Sequence, residues 1–169
     1  MDYHPNLRAQ RGWELDGAGG IRIGSGENNH REVIRMGIAR DGEAHLFCCC
    51  GARVRNDGPI SVYDHLLGGN LAAFFSVAGD FYAQAGYIGA VDVGAAVTGI
   101  QGSHSHFVVV EQRQLGERVT FADGIDQQEH RRTDRVLASD LRERPHEVAE
   151  NLLRDLFDVL VGMNFTPFH

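Results

Sequence analysis

The most constraining feature of this chain is a glycine-rich segment between Gly86 and Gly102. Small and β-branched residues alternate there with a period of two, which is the pattern of a β-strand. One predicted face carries Gly89, Val91, Val93, Ala95, Val97 and Gly99. The other carries Ile88, Ala90, Asp92, Gly94, Ala96 and Thr98. Glycines inside a strand mark a bend, a bulge or the close approach of another backbone. The segment therefore predicts a strand that packs closely against a flat neighbour.

Apolar residues at three- and four-residue spacing predict two principal helices. The first has Asn70 as its N-cap and Gly86 as its left-handed C-terminal residue, and an earlier turn over residues 61–67 can precede it. The second begins at Pro145, ends near Gly162 and carries two adjacent apolar rows. These rows are Val148, Leu152, Leu156 and Leu160 beside Ala149, Leu153, Phe157 and Val161. A helix with two such rows is wide enough to cover the face of a sheet.

The order of these elements indicates the fold class. The dipeptide Asp41-Gly42 separates two alternating runs and predicts a β-hairpin, and further strands are predicted over residues 104–111 and 119–121. Hairpins followed by a helix, more strands and a terminal helix are typical of an α+β fold. We expect a mainly antiparallel sheet with two principal helices packed on one face. Residues 1–30 are predicted to be a loop-rich N-terminal lead-in, and residues 31–169 a single α+β domain.

Charge and composition disfavour several classes of partner. The formal net charge of −7 gives a long-range field that repels phosphate backbones, so direct nucleic-acid binding is disfavoured. The densest arginines, in residues 131–144, alternate with acidic residues, as on a solvated surface. No run approaches the roughly 18 apolar residues of a membrane span, and the N-terminus lacks the apolar core of a signal peptide. We expect a cytoplasmic protein that does not enter the membrane.

The contiguous cysteines raise the question of a metal site. On a strand, Cys48 and Cys50 would share one face and Cys49 the other. His104 and His106 also alternate, and with Cys48 and Cys50 they would complete a zinc site if the two strands were neighbours. Cysteine more often packs as a small hydrophobe, and that interpretation is favoured. No catalytic residue and no cofactor is predicted; zinc remains the alternative.

One acid and one surface are further candidates. Asp92 lies in an otherwise apolar strand, where a buried carboxylate is costly unless it is paired, for example with Arg35. If Asp92 faces the helices it is a candidate buried acid, and if it faces water it is an ordinary exposed position. The flat strand and the first helix predict an interface, whose candidate residues are Tyr87, Gly89, Val91, Val93, Phe74 and Phe75.

Three segments resemble a known family. They read GPISVYDHLLGGNLAAFF, GYIGAVDVGAAVTGIQGSHS and HRRTDRVLASDLRERPHEVAENLLRDLFDVLVG. Together they resemble the C-terminal accessory region of actinobacterial ATP- or DNA-binding proteins that carry an N-terminal Schlafen-type AlbA-like domain. The resemblance covers residues 30–162, and no AlbA-like segment is seen, so the activity of that domain is not carried over.

The resemblance and the lack of a convergent catalytic set lead to one functional expectation. The chain is predicted to be a noncatalytic accessory domain for protein interaction, oligomerisation or ligand binding. Its expected partner is another protein or a second copy of itself. The alternative is a small Cys/His metal-binding protein or enzyme.

Overall fold

The computed structural model of the chain describes residues 13–15, 21–24, 34–49, 51–54, 60–106 and 125–161. The described residues form an α+β fold, as predicted. Its strands are β1 (Trp13–Leu15), β2 (Ile21–Gly24), β3 (Ile34–Ile38), β4 (Ala44–Cys48), β5 (Ala52–Val54), β6 (Ile60–Val62), β7 (Ala90–Thr98), β8 (Ser103–Ser105) and β9 (Glu129–Leu137). Its helices are α1 (Asp64–Gln84), α2 (Ala138–Glu143) and α3 (Pro145–Val161).

The described strands are divided among three sheets, where the sequence predicted one. The largest sheet has the order β1-β2-β3-β4 with antiparallel neighbours, and its β3–β4 pair is the hairpin predicted at Asp41-Gly42. The second sheet has the order β5-β6-β8, in which β6 and β8 are parallel. The third is an antiparallel ribbon of β7 and β9. The strand predicted over residues 104–111 is described only to residue 106, and β8 covers its start. The strand predicted over residues 119–121 and most of the predicted lead-in lie outside the described residues.

Helices α1 and α3 form the core together with the inner faces of the sheets. Both predicted apolar rows of α3 are buried at every position from Val148 to Leu160. One core cluster joins Met36 and Ile38 of β3 to Phe75 of α1 and Leu152 of α3. The orientation of α3 about its own axis was predictable because its two adjacent apolar rows form a single face that must be buried.

Helix α1 begins at Asp64, within the earlier turn considered over residues 61–67 and ahead of the predicted N-cap Asn70. Asn70 is not the N-cap; it lies inside the helix and is buried. The C-terminal end agrees with the prediction, because Gly86 has a φ of 72° and its N–H donates to the carbonyl of Ala83. The next N–H, that of Tyr87, donates to the carbonyl of Tyr82, which completes a Schellman motif. This turn starts β7 directly after the helix.

The alternation predicted for β7 is confirmed. Its residues from Val91 to Val97 at odd positions face the core, and those from Asp92 to Thr98 at even positions are exposed. Its partner β9 was missed by the sequence analysis, because a strand with five charged residues among nine carries no apolar alternation. Hydrogen bonding to β7 holds these residues in a strand, although their own sequence lacks the pattern of one.

Candidate functional site

A groove separates the edge of β4 from the edge of β7. Consecutive residues of both strands line it, 44–49 on one side and 94–99 on the other, and the cavity has a volume of about 530 Å³. A wall formed by consecutive residues of a strand is the edge of that strand, because the faces are lined only by alternate residues. The groove is therefore an opening between two sheet edges.

The two edges run in the same direction. At the start of β4 the hydroxyl of Tyr82 donates to the carbonyl of Gly42 at 2.8 Å, and at its end the amide of Asn70 lies 3.5 Å from Cys48 Sγ. Strand β4 is thus antiparallel to α1. Strand β7 follows the end of α1 and returns towards its start, where Val97 packs in the same cluster as Leu67. Both strands are antiparallel to α1 and hence parallel to each other.

The hydrogen-bond register shows which backbone groups of β4 face the groove. The N–H of Ala39 donates to the carbonyl of Glu43, so this pair is hydrogen-bonded, and every second pair along the β3–β4 ladder has the same character. Residues in the intervening pairs direct their N–H and C=O groups away from β3. Ala44 and Leu46 therefore point these groups into the groove.

The same reasoning applies to β7. Gly99 N–H donates to the carbonyl of Gln128, and Ala138 N–H donates to that of Gly89, so odd-numbered residues of β7 bond to β9. Even-numbered residues direct their backbone groups away from β9. Within the groove these are Gly94, Ala96 and Thr98. Among the described strands, β4 pairs only with β3 and β7 only with β9, so the groove-directed backbone groups of Ala44, Leu46, Gly94, Ala96 and Thr98 lie outside both ladders.

The floor of the groove is apolar with one amide. Leu67, Leu71 and Phe74 of α1 and Leu153 of α3 form most of it. Asn70 lies among them with only 4% of its surface exposed, and its Nδ2 donates to Cys48 Sγ. Its Oδ1 is buried without a hydrogen-bond partner among the described residues. Such a surface suits apolar side chains.

A buried acid lies at the first turn of α1, outside the groove lining. Asp64 is fully buried, and its Oδ2 accepts a hydrogen bond from Ser105 Oγ at 2.5 Å. Burial raises the pKa of Asp64 to about 6, although the bond from Ser105 acts in the opposite direction. The contact connects α1 to β8, so Asp64 helps to fix the position of α1, the helix that forms most of the groove floor.

The structure places the predicted zinc ligands on different elements. Cys48 ends β4, half-buried, while His104 lies within β8 and His106 directly follows it, packed on Tyr63 with ring centroids 4.4 Å apart. Cys50 lies outside the described residues. Where the chain is described, no three His, Cys, Asp or Glu side chains form a group that could hold a metal ion. The zinc site stays a prediction.

The predicted acid and interface are changed by the structure. Asp92 is not a buried acid: its side chain is 81% exposed and pairs with Arg135 at 3.8 Å. The side chain of Arg35, its predicted partner, lies outside the described part of the structure. The predicted interface residues separate into two groups. Phe74, Phe75 and Val93 are buried in the core and Val91 is half-buried, whereas Tyr87 and Gly89 lie at the turn before β7. Of these six, only Phe74 reaches the groove.

Sequence reasoning found both walls of the groove but not the groove itself. It predicted β7 and the hairpin that contains β4, yet nothing in the sequence states that their free edges face each other. The unusually small residues of β7 were the available signal. They were interpreted as close packing against a flat neighbour, whereas this edge lies open in the described part of the structure.

Comparison of the chain with protein-family models, curated proteins and solved structures finds no match. The resemblance to the accessory region of actinobacterial proteins thus remains a prediction. Among the helices of the described residues, none is both long and apolar enough to cross a membrane.

Proposed function

We propose that this chain is a noncatalytic binding module that takes an extended segment of a partner polypeptide into the β4–β7 groove. The observation that carries the proposal is the pair of strand edges that face each other across one cavity and that pair with no further strand among the described residues. Main-chain pairing at a sheet edge is a common mode of peptide recognition. The partner would extend the sheet by backbone hydrogen bonds.

The backbone groups favour a polypeptide over a compact small molecule. Ala44 and Leu46 on one side and Gly94, Ala96 and Thr98 on the other each offer a donor and an acceptor, repeated at every second residue. A polypeptide strand carries donors and acceptors at the same repeat. A compact apolar ligand would fill the floor but leave most of these groups without partners.

The residues around the groove agree with this use. Strand β7 offers glycine, alanine and threonine at its open edge, so a neighbouring backbone meets no bulky or charged side chain there. Natural proteins usually protect an exposed edge with charges, bulges or proline. The described lining of the groove contains no Asp, Glu, Lys or Arg, so these edges lack that protection.

The test uses a synthetic peptide of alternating pattern, acetyl-Lys-Val-Thr-Val-Thr-Val-Lys-amide. We expect it to bind the purified chain with amide NMR shifts at Ala44, Leu46, Gly94, Ala96 and Thr98. These amides should exchange rapidly with solvent in the free protein and slowly in the complex. Slow exchange of the same amides in the free monomer would show that the edges are already paired, and it would contradict the proposal.

A matched pair of proline variants tests the site. Ala96→Pro removes an N–H that points into the groove, whereas Thr133→Pro removes one from the outer edge of β9, and neither N–H takes part in the ladder. We expect Ala96→Pro to weaken peptide binding by about tenfold or more and Thr133→Pro to leave it unchanged. Equal loss in both variants, or no binding to the unmodified chain at millimolar peptide, would overturn the proposal.

Native mass spectrometry identifies other occupants. The proposed function requires a monomer that gains one peptide. A dimer that excludes the peptide would show that a second copy fills the groove. If a retained metal or small molecule prevents peptide binding, that ligand, and not a polypeptide, is the occupant of the groove.

A further inference from the structure

We infer that the partner segment carries an aromatic side chain on its solvent face and that Phe47 of β4 recognises it. This inference rests on the proposed function and specifies the partner. It comes from the solvent face of the two groove walls, where β4 presents an exposed aromatic ring and β7 presents only small side chains.

Phe47 borders the groove with much of its surface in solvent. It is 59% exposed and belongs to the groove lining. The other large apolar residues that are exposed in the described part of the chain, Tyr87, Ile88, Leu137 and Val159, do not line the groove. A single exposed apolar residue is ordinary on a protein surface. One at the border of a binding groove is placed to lose its contact with water when the groove is filled, as interface anchors do.

The neighbouring ring on the same face, that of His45, is turned towards β3. His45 and Phe47 are two residues apart on β4, and both are exposed. Gly37 of β3 pairs with His45, and a Cβ at Gly37 would collide with the His45 ring. The imidazole therefore covers the glycine of the adjacent strand. Of these two rings, that of Phe47 is the one left for a partner.

The opposite wall leaves room for a large side chain. The exposed residues of β7 in the groove lining are Gly94, Ala96 and Thr98. They carry no side chain larger than that of threonine, so the space above the groove is limited on the β4 side by Phe47 and is open towards β7. A bulky outward side chain of the partner would fit between these two walls.

A strand paired with β4 brings its outward side chains to Phe47. The residue directly opposite Phe47 would share its face, with Cβ atoms about 4.5–5.5 Å apart, and aromatic side chains also reach diagonal neighbours. Paired aromatic rings attract each other beyond the effect of the area that they bury. Tyrosine also offers a large contact area with few rotatable bonds and keeps its hydroxyl in water. An aromatic residue thus uses this position better than an aliphatic one.

The test is a double-mutant cycle between the partner and Phe47. It compares the Val/Thr peptide of the proposed-function test with a form in which tyrosine replaces both threonines. A strand whose valines lie over the apolar floor turns these positions to solvent. We expect the tyrosine peptide to bind the unmodified chain about two- to tenfold more tightly than the Val/Thr peptide. This gain should be lost in Phe47→Ala.

Val159→Ala is the matched control. Val159 is also 59% exposed, but it lies in α3 and outside the groove lining. The gain from tyrosine should be complete in this variant. Phe47→Ala should still bind the Val/Thr peptide with amide shifts at Gly94 and Ala96, which shows that its groove is intact. Nuclear Overhauser effects between the peptide tyrosine rings and the ring of Phe47 provide a second, independent readout.

The outcomes separate the inference from the function on which it rests. An equal gain in Phe47→Ala and the unmodified chain, no gain in the unmodified chain, or ring contacts of the tyrosines that exclude Phe47 would overturn the inference and leave the binding module intact. Failure of both peptides to bind would remove the proposed function itself, and the inference with it. Loss of the gain in Phe47→Ala alone, with ring contacts to Phe47, is the expected result.

Discussion

The two long edges of the β7–β9 ribbon are built from different residues. The outer strand, β9, carries five charged residues among nine, whereas β7 carries one, Asp92. On the β9 side, Arg132 pairs with Asp155 of α3 and His130 Nε2 lies 2.7 Å from the carbonyl of Leu152. On the β7 side the edge is small, uncharged and opposite a second edge. We call the β9 side of the ribbon the closed side and the β7 side the open side.

The difference shows that the exposed strand edges of this fold are protected by charge to different degrees. Charges along β9 oppose pairing with another chain, which is a common protection of sheet edges. The same protection is missing from β7 and β4 at the groove. Changes on the closed side should therefore cost stability, and changes on the open side should cost binding.

The largest expected effect tests the register on which this comparison depends. Ala95→Pro removes an N–H that bonds to β9, and we expect it to lower the free energy of unfolding by about 3 kcal/mol. Ala96→Pro removes an N–H that points into the groove and should cost about 1 kcal/mol or less. Urea unfolding of both variants measures the difference. Equal losses would mean that the two edges are not assigned correctly.

A pH titration of stability distinguishes the buried acid at the start of α1, Asp64, from the exposed acids. Because burial raises the pKa of Asp64 to about 6, the folded state binds its proton more tightly than the unfolded chain does. Stability from this group is complete below pH 4 and falls by about 3 kcal/mol as the pH rises through 6. In Asp64→Asn this fall should disappear. An unchanged pH profile in the variant would assign the fall to other groups.

Two glycines of α1 give opposite expectations. A Cβ at Gly79 would lie 2.6 Å from the backbone nitrogen of Arg142 in α2, whereas one at Gly69 would meet nothing within 4 Å. We expect Gly79→Ala to destabilise the protein by about 1 to 3 kcal/mol through overpacking. Gly69→Ala should stabilise it by about 0.5 to 1 kcal/mol. Thermal unfolding checks both, and stabilisation by Gly79→Ala would show that α1 and α2 are not closely packed.

The smallest effect concerns the ion pair of the closed side. Arg132→Ala removes the contact with Asp155, which joins two largely exposed side chains. Exposed pairs contribute about 0 to 1 kcal/mol and are screened by salt. We expect a loss in that range at low ionic strength and a smaller one at high ionic strength, measured by urea unfolding. Peptide binding in the groove should not change, and a loss of binding would show that the two sides are coupled.

Elements with a strong internal pattern were predicted well. The alternation of β7 and the two apolar rows of α3 determine which side chains turn inward, whatever the neighbours are. The Asp41-Gly42 turn and the positive φ of Gly86 follow from local conformational preferences. These features depend on residues that are close together in the chain.

The errors share another origin. Asn70 has the side chain of an N-cap, yet α1 begins at Asp64, which bonds to Ser105, 41 residues away. Strand β9 lacks a strand pattern and is formed by pairing with β7. Asp92 lies in an apolar strand, but the face it occupies is the solvent face. In each case a distant part of the chain decided the outcome.

The sequence by itself determined the α+β class, the period of each long element and the faces of β7 and α3, because these follow from local side-chain spacing. Only the tertiary structure decided that the edges of β4 and β7 face each other above α1. Backbone donors and acceptors are the same for nearly every residue type, so a sequence does not show which of them remain unbonded. Their availability depends on how separate elements pack, and the proposed binding site depends on that packing.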